Sequence, residues 1–144
     1  MGKKRIIKKS AGGVNRELKS RALSRVPKKK ASEAILRICA TYNNTLISLT
    51  DIAGNVLTWS SAGALGFKGT RKSTPYAASK VSELIAEQAK MMGVRKVGII
   101  VKGIGAGRES AIRSFALKGF DISYVKDATP LPHNGPRPPK PRRV

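Results

Sequence analysis

Between Glu33 and Asp127 the apolar residues change their period four times, and that alternation limits the folds open to the chain. Glu33 to Ala40 (EAILRICA) reads as a strand and LISLTD from Leu46 as a second, joined as a hairpin through the turn residues Tyr42, Asn43 and Asn44. Ala53-Gly54-Asn55 turns the chain into a third strand, VLTWSS, whose β-branched and aromatic content suits a pleated surface. After Pro75 the spacing shifts to three and four. Ala78, Val81, Leu84, Ile85, Ala89 and Met92 then share one helical face, with Lys80, Glu83, Glu87 and Lys90 opposite. Ser73 or Thr74 is placed to cap this helix and Gly93 to stop it. KVGIIVK, from Lys96 to Lys102, is apolar enough to be an inner strand buried on both faces beneath helices. A second helix is predicted from about Arg108 to Lys118, with Ile112, Phe115 and Ala116 inward and Gly119 as its stop. A fifth strand, FDISYVK, alternates Phe120, Ile122 and Tyr124. The order βββαβαβ predicts an α/β domain with a mixed five-stranded sheet and two main helices packed on it. This domain, residues 31–127, is large enough to fold without disulfide or metal staples, and it holds no internal repeat.

Charge divides the chain into three parts. Its 144 residues carry 29 Lys or Arg against 8 Asp or Glu, a formal net charge of +21. Residues 1–30 account for +11, residues 31–127 for +6 and residues 128–144 for +4. The chain therefore reads as a modestly basic core between two polycationic tails. A field of this size attracts polyanions, so nucleic acid is the expected partner and anionic membrane the weaker candidate. No apolar stretch approaches the 18 or so residues that cross a bilayer, no secretory signal is evident, and Ile6 stands where a myristoylation motif wants Ser or Thr. The single cysteine, Cys39, fits a reducing compartment and is most simply a small core residue.

The N-terminal extension, residues 1–30, has too little apolar content to offset its own ordering entropy and is expected to order on a partner, with a short amphipathic turn through Val14, Leu18 and Ala22 as its one helical signal. An RNA-binding arm, a solubilising extension and a targeting peptide are its alternative readings. Transit peptides favour Arg and Ser, whereas eight of its twelve basic residues are Lys. The C-terminal tail, 128–144, holds six of the eight prolines and no acid, so it reads as an extended, polyproline-like segment presenting Arg137, Lys140, Arg142 and Arg143. A groove of phosphates suits it, and a stiff terminus or a ligand for an SH3-type domain are the alternatives. Within it Asn134-Gly135 is the chain's only Asn-Gly pair, which leaves Asn134 open to backbone attack and isoaspartate formation.

Two glycine-containing loops precede the predicted helices. In Ser60 to Pro75, Gly63, Gly66 and Gly69 let backbone N–H groups approach an anion, beside Lys68, Arg71 and Lys72 at a helix start. Gly66 to Ser73 nearly fits a nucleotide P-loop, but Arg71 occupies a position where that motif needs Gly. The second loop, Lys102 to Ser110 (KGIGAGRES), lacks the full dinucleotide spacing, and its glycines serve equally as a tight strand-to-helix turn. Arg108 at a helix start opposes the helix dipole unless an external anion compensates it. Catalysis is not indicated. Asp51, Glu83, Glu87 and Glu109 do not converge as a two-metal nuclease requires, and Glu109 is spaced to pair with Arg113. With His133 the only histidine and Cys39 the only cysteine, zinc sites and catalytic triads lack their parts, and neither metal nor cofactor is expected. Most aromatic residues are assigned to the core, so a base-stacking platform is not indicated; Phe67, inside the cationic loop, either meets a ribose or anchors the loop.

Three segments carry a resemblance: ATYNNTLISLTDIAGNVLTWSSAGALGFKGTRKSTPYAA, then VKG-x-G-x-GRESAIR, then DATPLPHNGPRPPKPRRV. Together they closely resemble the bacterial-type small-subunit ribosomal protein S-eleven family, in register over residues 33–144. Ile104 and Ala106 stand where that family commonly has Pro, and Pro136 where it often has Cys, which leaves the loop less rigid and the tail more so. The resemblance implies an RNase H-like fold without catalysis, seated on the platform of the small subunit. It further implies binding to 16S-type rRNA, neighbours S-six, S-seven, S-eighteen and S-twenty-one, and a position bordering the mRNA exit path near the Shine–Dalgarno duplex. Carried onto this chain, the RNA contacts would be Asn43 and Asn44; Ser60, Ser61, Gly66, Lys68, Gly69, Arg71, Lys72 and Ser73; Arg108 and Arg113; and His133, Asn134, Gly135, Arg137, Lys140, Arg142 and Arg143. A cytoplasmic ribosome of bacterial type is implied, with an organellar ribosome as the alternative; neither membrane binding nor self-association is expected. The rival from another class is a free nucleic-acid chaperone or architectural protein acting through its tails.

Overall fold

The computed structural model describes residues 15–24 and 30–140. Its elements follow the order α1 (Arg16–Leu23), β1 (Glu33–Ala40), β2 (Thr45–Thr50), β3 (Val56–Ser61), α2 (Pro75–Met91), β4 (Lys96–Lys102), α3 (Gly107–Ala116) and β5 (Asp121–Asp127). Two 3-10 turns, Gly63–Leu65 and Gly69–Ser73, lie between β3 and α2. The strands form one mixed sheet in the order β3-β2-β1-β4-β5. The β1–β2 and β2–β3 pairs are antiparallel, and β4 is parallel to both β1 and β5.

Period-2 alternation places Leu36, Ile38 and Ala40 of β1, Ile47 and Leu49 of β2, and Val97, Ile99 and Val101 of β4 on one face, all buried. Both α2 and α3 pack on that face. The predicted stripe of α2 is the buried one, from Ala78 to Ala89, and Met92 just past its end is buried too. Thr74 caps α2 by accepting from the Ala77 N–H at 3.3 Å, and Pro75 follows at the first helical position, where its missing N–H costs nothing. The buried Ser82 hydroxyl donates to the Ala111 carbonyl at 2.7 Å, tying α2 to α3.

The structure corrects four of the expectations. Cys39 is exposed, because it alternates with Ile38 and Ala40 and so points away from the helices. In α3 the inward residues are Ala111 and Phe115, with Ile112 half-buried and Ala116 exposed; Phe115 stacks on Phe120 at 4.5 Å between ring centroids. KVGIIVK is an inner strand, but helices cover only one of its faces. Gly98 on the other face is buried under the ring of Tyr124, and Ile100 is half-buried. Finally, Arg16–Leu23 of the N-terminal extension is a helix docked on the domain rather than a segment awaiting a partner. Asn15 caps it, Ala22 and Leu23 pack on the core, and Lys19 pairs with Glu87 at 2.8 Å. Gln88 of α2 donates to the Ala22 carbonyl at 3.0 Å and accepts from the Thr58 hydroxyl at 2.7 Å. An eight-residue helix is too short to hold itself together in water, so these contacts supply what its propensity lacks. Val14 of the expected turn lies outside the described residues.

Candidate nucleic-acid interface

The topology gathers the predicted contact segments at one end of the sheet. Strands β1, β4 and β5 run in the same direction, so the chain leaves all three at the same end: into the 41–44 hairpin, into the 103–106 loop and into the C-terminal tail. Because β2 is antiparallel to β1 and β3 to β2, β3 also ends there and opens the 62–74 loop. The N–H of Ala62 donates to the Thr45 carbonyl, that of Gly105 to Ala40 and that of Ala128 to Val101, stitching the four segments to the sheet end. Crevices beyond the carboxyl ends of parallel strands are the ordinary ligand sites of open α/β sheets.

In the 62–74 loop, Leu65 and Phe67 are buried anchors, so Phe67 fixes the loop; its ring meets Tyr76 edge-on at 6.1 Å. These anchors leave Lys68, Gly69, Thr70 and Arg71 exposed between them and α2, with Lys72 and Ser73 half-buried. Lys68, Arg71 and Lys72 have no acidic partner among the described residues, whereas Lys19, Lys80, Lys96, Arg108 and Arg113 are each paired with a carboxylate. Gly69, at φ +59, has open space where a side chain would be. Gly66, at φ +96, is covered by Asn15 and Leu18 of the docked N-terminal helix. Ser60 is buried on the helical side of β3, and Ser61 is half-buried and accepts from the Ala64 N–H.

The second loop is packed against its own protein. A Cβ at Gly103 or Gly105 would collide with the backbone carbonyls of Ala40 or Thr41, and one at Gly107 would lie 2.5 Å from the Thr45 hydroxyl. These glycines therefore serve a tight turn between β4 and α3 rather than an anion cradle. Arg108 finds its compensating anion inside the molecule. Its guanidinium donates to the Gly103 carbonyl at 2.6 Å and to Asp127 Oδ2 at 2.6 Å, so the external anion expected at this helix start is not required. The Thr129 hydroxyl, which also accepts from the Gly103 N–H, donates to Asp127 Oδ1 at 2.6 Å, and the Thr129 N–H donates to the same oxygen at 2.9 Å. The hydroxyl of Thr129, then the Arg108 guanidinium, hold the Asp127 carboxyl well below the usual carboxylate range. This cluster fixes where the tail leaves the sheet. Sequence reasoning missed Asp127 and Thr129, for which no spacing rule gives a signal.

Asn43 is exposed at the hairpin tip, and Asn44 is half-buried with its Oδ1 lacking a hydrogen-bond partner among the described residues. Arg113 pairs with Glu109 at 3.2 Å, as its spacing predicts, on the open surface of α3. The tail from Pro130 to Lys140 is exposed throughout and has no regular secondary structure. It places His133, Asn134, Gly135, Arg137 and Lys140 in solvent, with Asn134 in the left-handed region at φ +57. Arg142 and Arg143 lie outside the described residues. The aromatic residues depart from expectation: Tyr42, Trp59, Tyr76 and Tyr124 are all exposed large side chains rather than core. Among the described residues no group of His, Cys, Asp and Glu is gathered to hold a metal ion, and no helix is long and apolar enough to cross a membrane.

What the arrangement offers is a rigid sheet end carrying unpaired cations on one anchored loop, polar hairpin residues and an extended basic tail. It suits recognition of a folded, phosphate-rich surface at several points. A family model described as Ribosomal protein S11 matches residues 34–143 of the chain.

Proposed function

Because the chain belongs to the ribosomal protein S11 family, we propose that the sheet end described above is its principal rRNA surface. The chain is a small-subunit ribosomal protein that binds rRNA, and its class is structural rather than enzymatic. On our reading the 62–74 loop grips phosphates through Lys68, Arg71 and Lys72, and Asn43, Asn44 and Ser73 reach sugar or phosphate oxygens. The tail lays His133 to Arg143 along a groove, as an extended segment does at little further entropic cost. Arg108 acts by aiming the tail, and Ser60 supports the loop from beneath. Arg113 lies on α3 and forms a rim contact in exchange for Glu109. The finer setting is part of this proposal: 16S-type rRNA on the platform beside S-six, S-seven, S-eighteen and S-twenty-one, bordering the mRNA exit path near the Shine–Dalgarno duplex. A bacterial-type cytoplasmic ribosome belongs to it too, with three parts to the chain at 1–30, 31–127 and 128–144.

The observation that carries this reading is the convergence of the hairpin, the cationic loop and the tail at one sheet end. A chaperone acting through its tails would need no such convergence. Binding of the full chain to an rRNA fragment over a range of salt provides the test. Replacing Arg71 and Lys72 together by Ala should weaken binding and make the plot of log K against log salt shallower by about one to two units, because each lost phosphate contact retains its counterion. An unchanged slope would remove this loop from the interface.

A further inference from the structure

The helices cover one face of the sheet, and the register defines what stands on the other. One row across it reads Trp59, Ser48, Arg37, Ile100 and Lys126; the next row toward the tail end reads Ser61, Leu46, Cys39 and Lys102. On the other side of the first row, Val56 and Ile35 line up with Gly98, over which the Tyr124 ring lies. Trp59 is 60 % exposed, Tyr124 46 % and Leu46 38 %. The acids of this face, Glu33 and Asp121, sit at its far end in register with Lys96. Arg37, Lys102 and Lys126 have no acidic partner among the described residues.

Sheets built of parallel strands are normally covered on both faces, and here the parallel strands β1, β4 and β5 have a covering layer on one face only. The open face combines an apolar band with unpaired cations, and its Trp, Tyr and Arg are the residue types that dominate protein–protein hot spots. It does not suit RNA bases. Trp59 and Tyr124 stand on the two outermost strands, four strand spacings or about 19 Å apart, with Ser48, Arg37 and Ile100 and no further aromatic ring between them.

We infer that this open sheet face docks an amphipathic segment of another protein, whose apolar stripe covers Trp59, Leu46 and Ile100 and whose carboxylates meet Arg37, Lys102 and Lys126. The inference rests on the proposed function only for its setting, the small subunit in which the partner is met. The attraction is one of charge complementarity around an apolar centre, the arrangement that sets both affinity and register at protein interfaces.

The test uses the full chain with p-benzoylphenylalanine in place of Ser48, assembled into small subunits, irradiated and analysed by peptide sequencing of the crosslink. Only subunits shown by gel to contain the chain are read, so a failure to join, which would count against the proposed function, stays separate from a failure at this face. The expected product is a peptide of another subunit protein in which an apolar stripe is flanked by Asp or Glu. Arg37→Glu should cut the crosslink yield about tenfold and Arg37→Lys should preserve it, as loss and retention of an interfacial charge pair require. A crosslink to rRNA, a crosslink to a segment without carboxylates, no crosslink, or a yield unmoved by Arg37→Glu would each overturn the inference.

Discussion

Arg108, Asp127 and Thr129 tie the root of the C-terminal tail to the first turn of α3, and the tie carries a pH signature. Asp127 titrates well below its ordinary 3.8 in the folded chain, so the unfolded chain takes up the proton first as pH falls. The contribution of this group is therefore complete above the unfolded value and lost as pH drops through the lower folded one. Amide exchange at Gly103 and Thr129 should stay slow, after correction for intrinsic rates, down to the ordinary carboxylate range and accelerate only below it. Asp127→Asn should abolish that dependence, and acceleration already near neutral pH would contradict the assignment. Gly105 offers a second check, since an added Cβ meets the Thr41 carbonyl, a backbone atom that cannot swing aside. Gly105→Ala should cost about 1–3 kcal/mol in urea denaturation, and a neutral result would show that the loop is looser than described. At this scale the sequence was read incompletely. Arg108 stands out at a helix start because its charge opposes the dipole, but its partner lies 19 residues away in a strand and no local pattern joins them. Cys39 was legible in principle, since the alternation that buries Leu36, Ile38 and Ala40 sends Cys39 outward.

The elements of the domain were largely written in their periods. EAILRICA, VLTWSS and KVGIIVK are strands over their full predicted lengths, because alternation between turn residues leaves little freedom in register. The helix after Pro75 begins at the expected cap, where proline and a threonine hydroxyl specify the first turn together. The N-terminal helix was not legible, because eight residues carry too weak a pattern and its stability comes from tertiary contacts. Gln88 is the residue to change. Its side chain is 4 % exposed and bridges the Thr58 hydroxyl and the Ala22 carbonyl, so Gln88→Ala leaves two polar groups without their partner. We expect a loss of about 1–3 kcal/mol in global stability. Faster amide exchange across Lys19 to Ser24 should accompany it, while β1 and β4 keep their protection. Unchanged exchange in that helix would show that Lys19, Ala22 and Leu23 suffice to hold it. The docked helix also covers Gly66, so its release bears on the shape of the cationic loop beside it.

On the scale of the whole molecule, the sheet works as a frame. One face carries the helices, the tail end gathers hairpin, loop and tail, and the remaining face stands open with its own apolar band and cations. Composition told of a polyanionic partner, and the basic loop and tail were visible as charge runs in the sequence. Their meeting at one sheet end was not, since it depends on which strands run parallel. The open face was missed for a related reason. Trp59 and Tyr124 read as core residues until the helices are seen to lie on one side only. In the proposed function several anchored segments, and not loose charge, seat the chain on small-subunit rRNA. Sedimentation of a cell lysate through a sucrose gradient, at moderately high salt with magnesium kept, tests it most directly, because that salt strips ligands held only by screened, exposed charge. The chain is expected to stay with the small subunit at one copy each; a chain that washes to the top of the gradient while the subunit remains intact would contradict the proposed function.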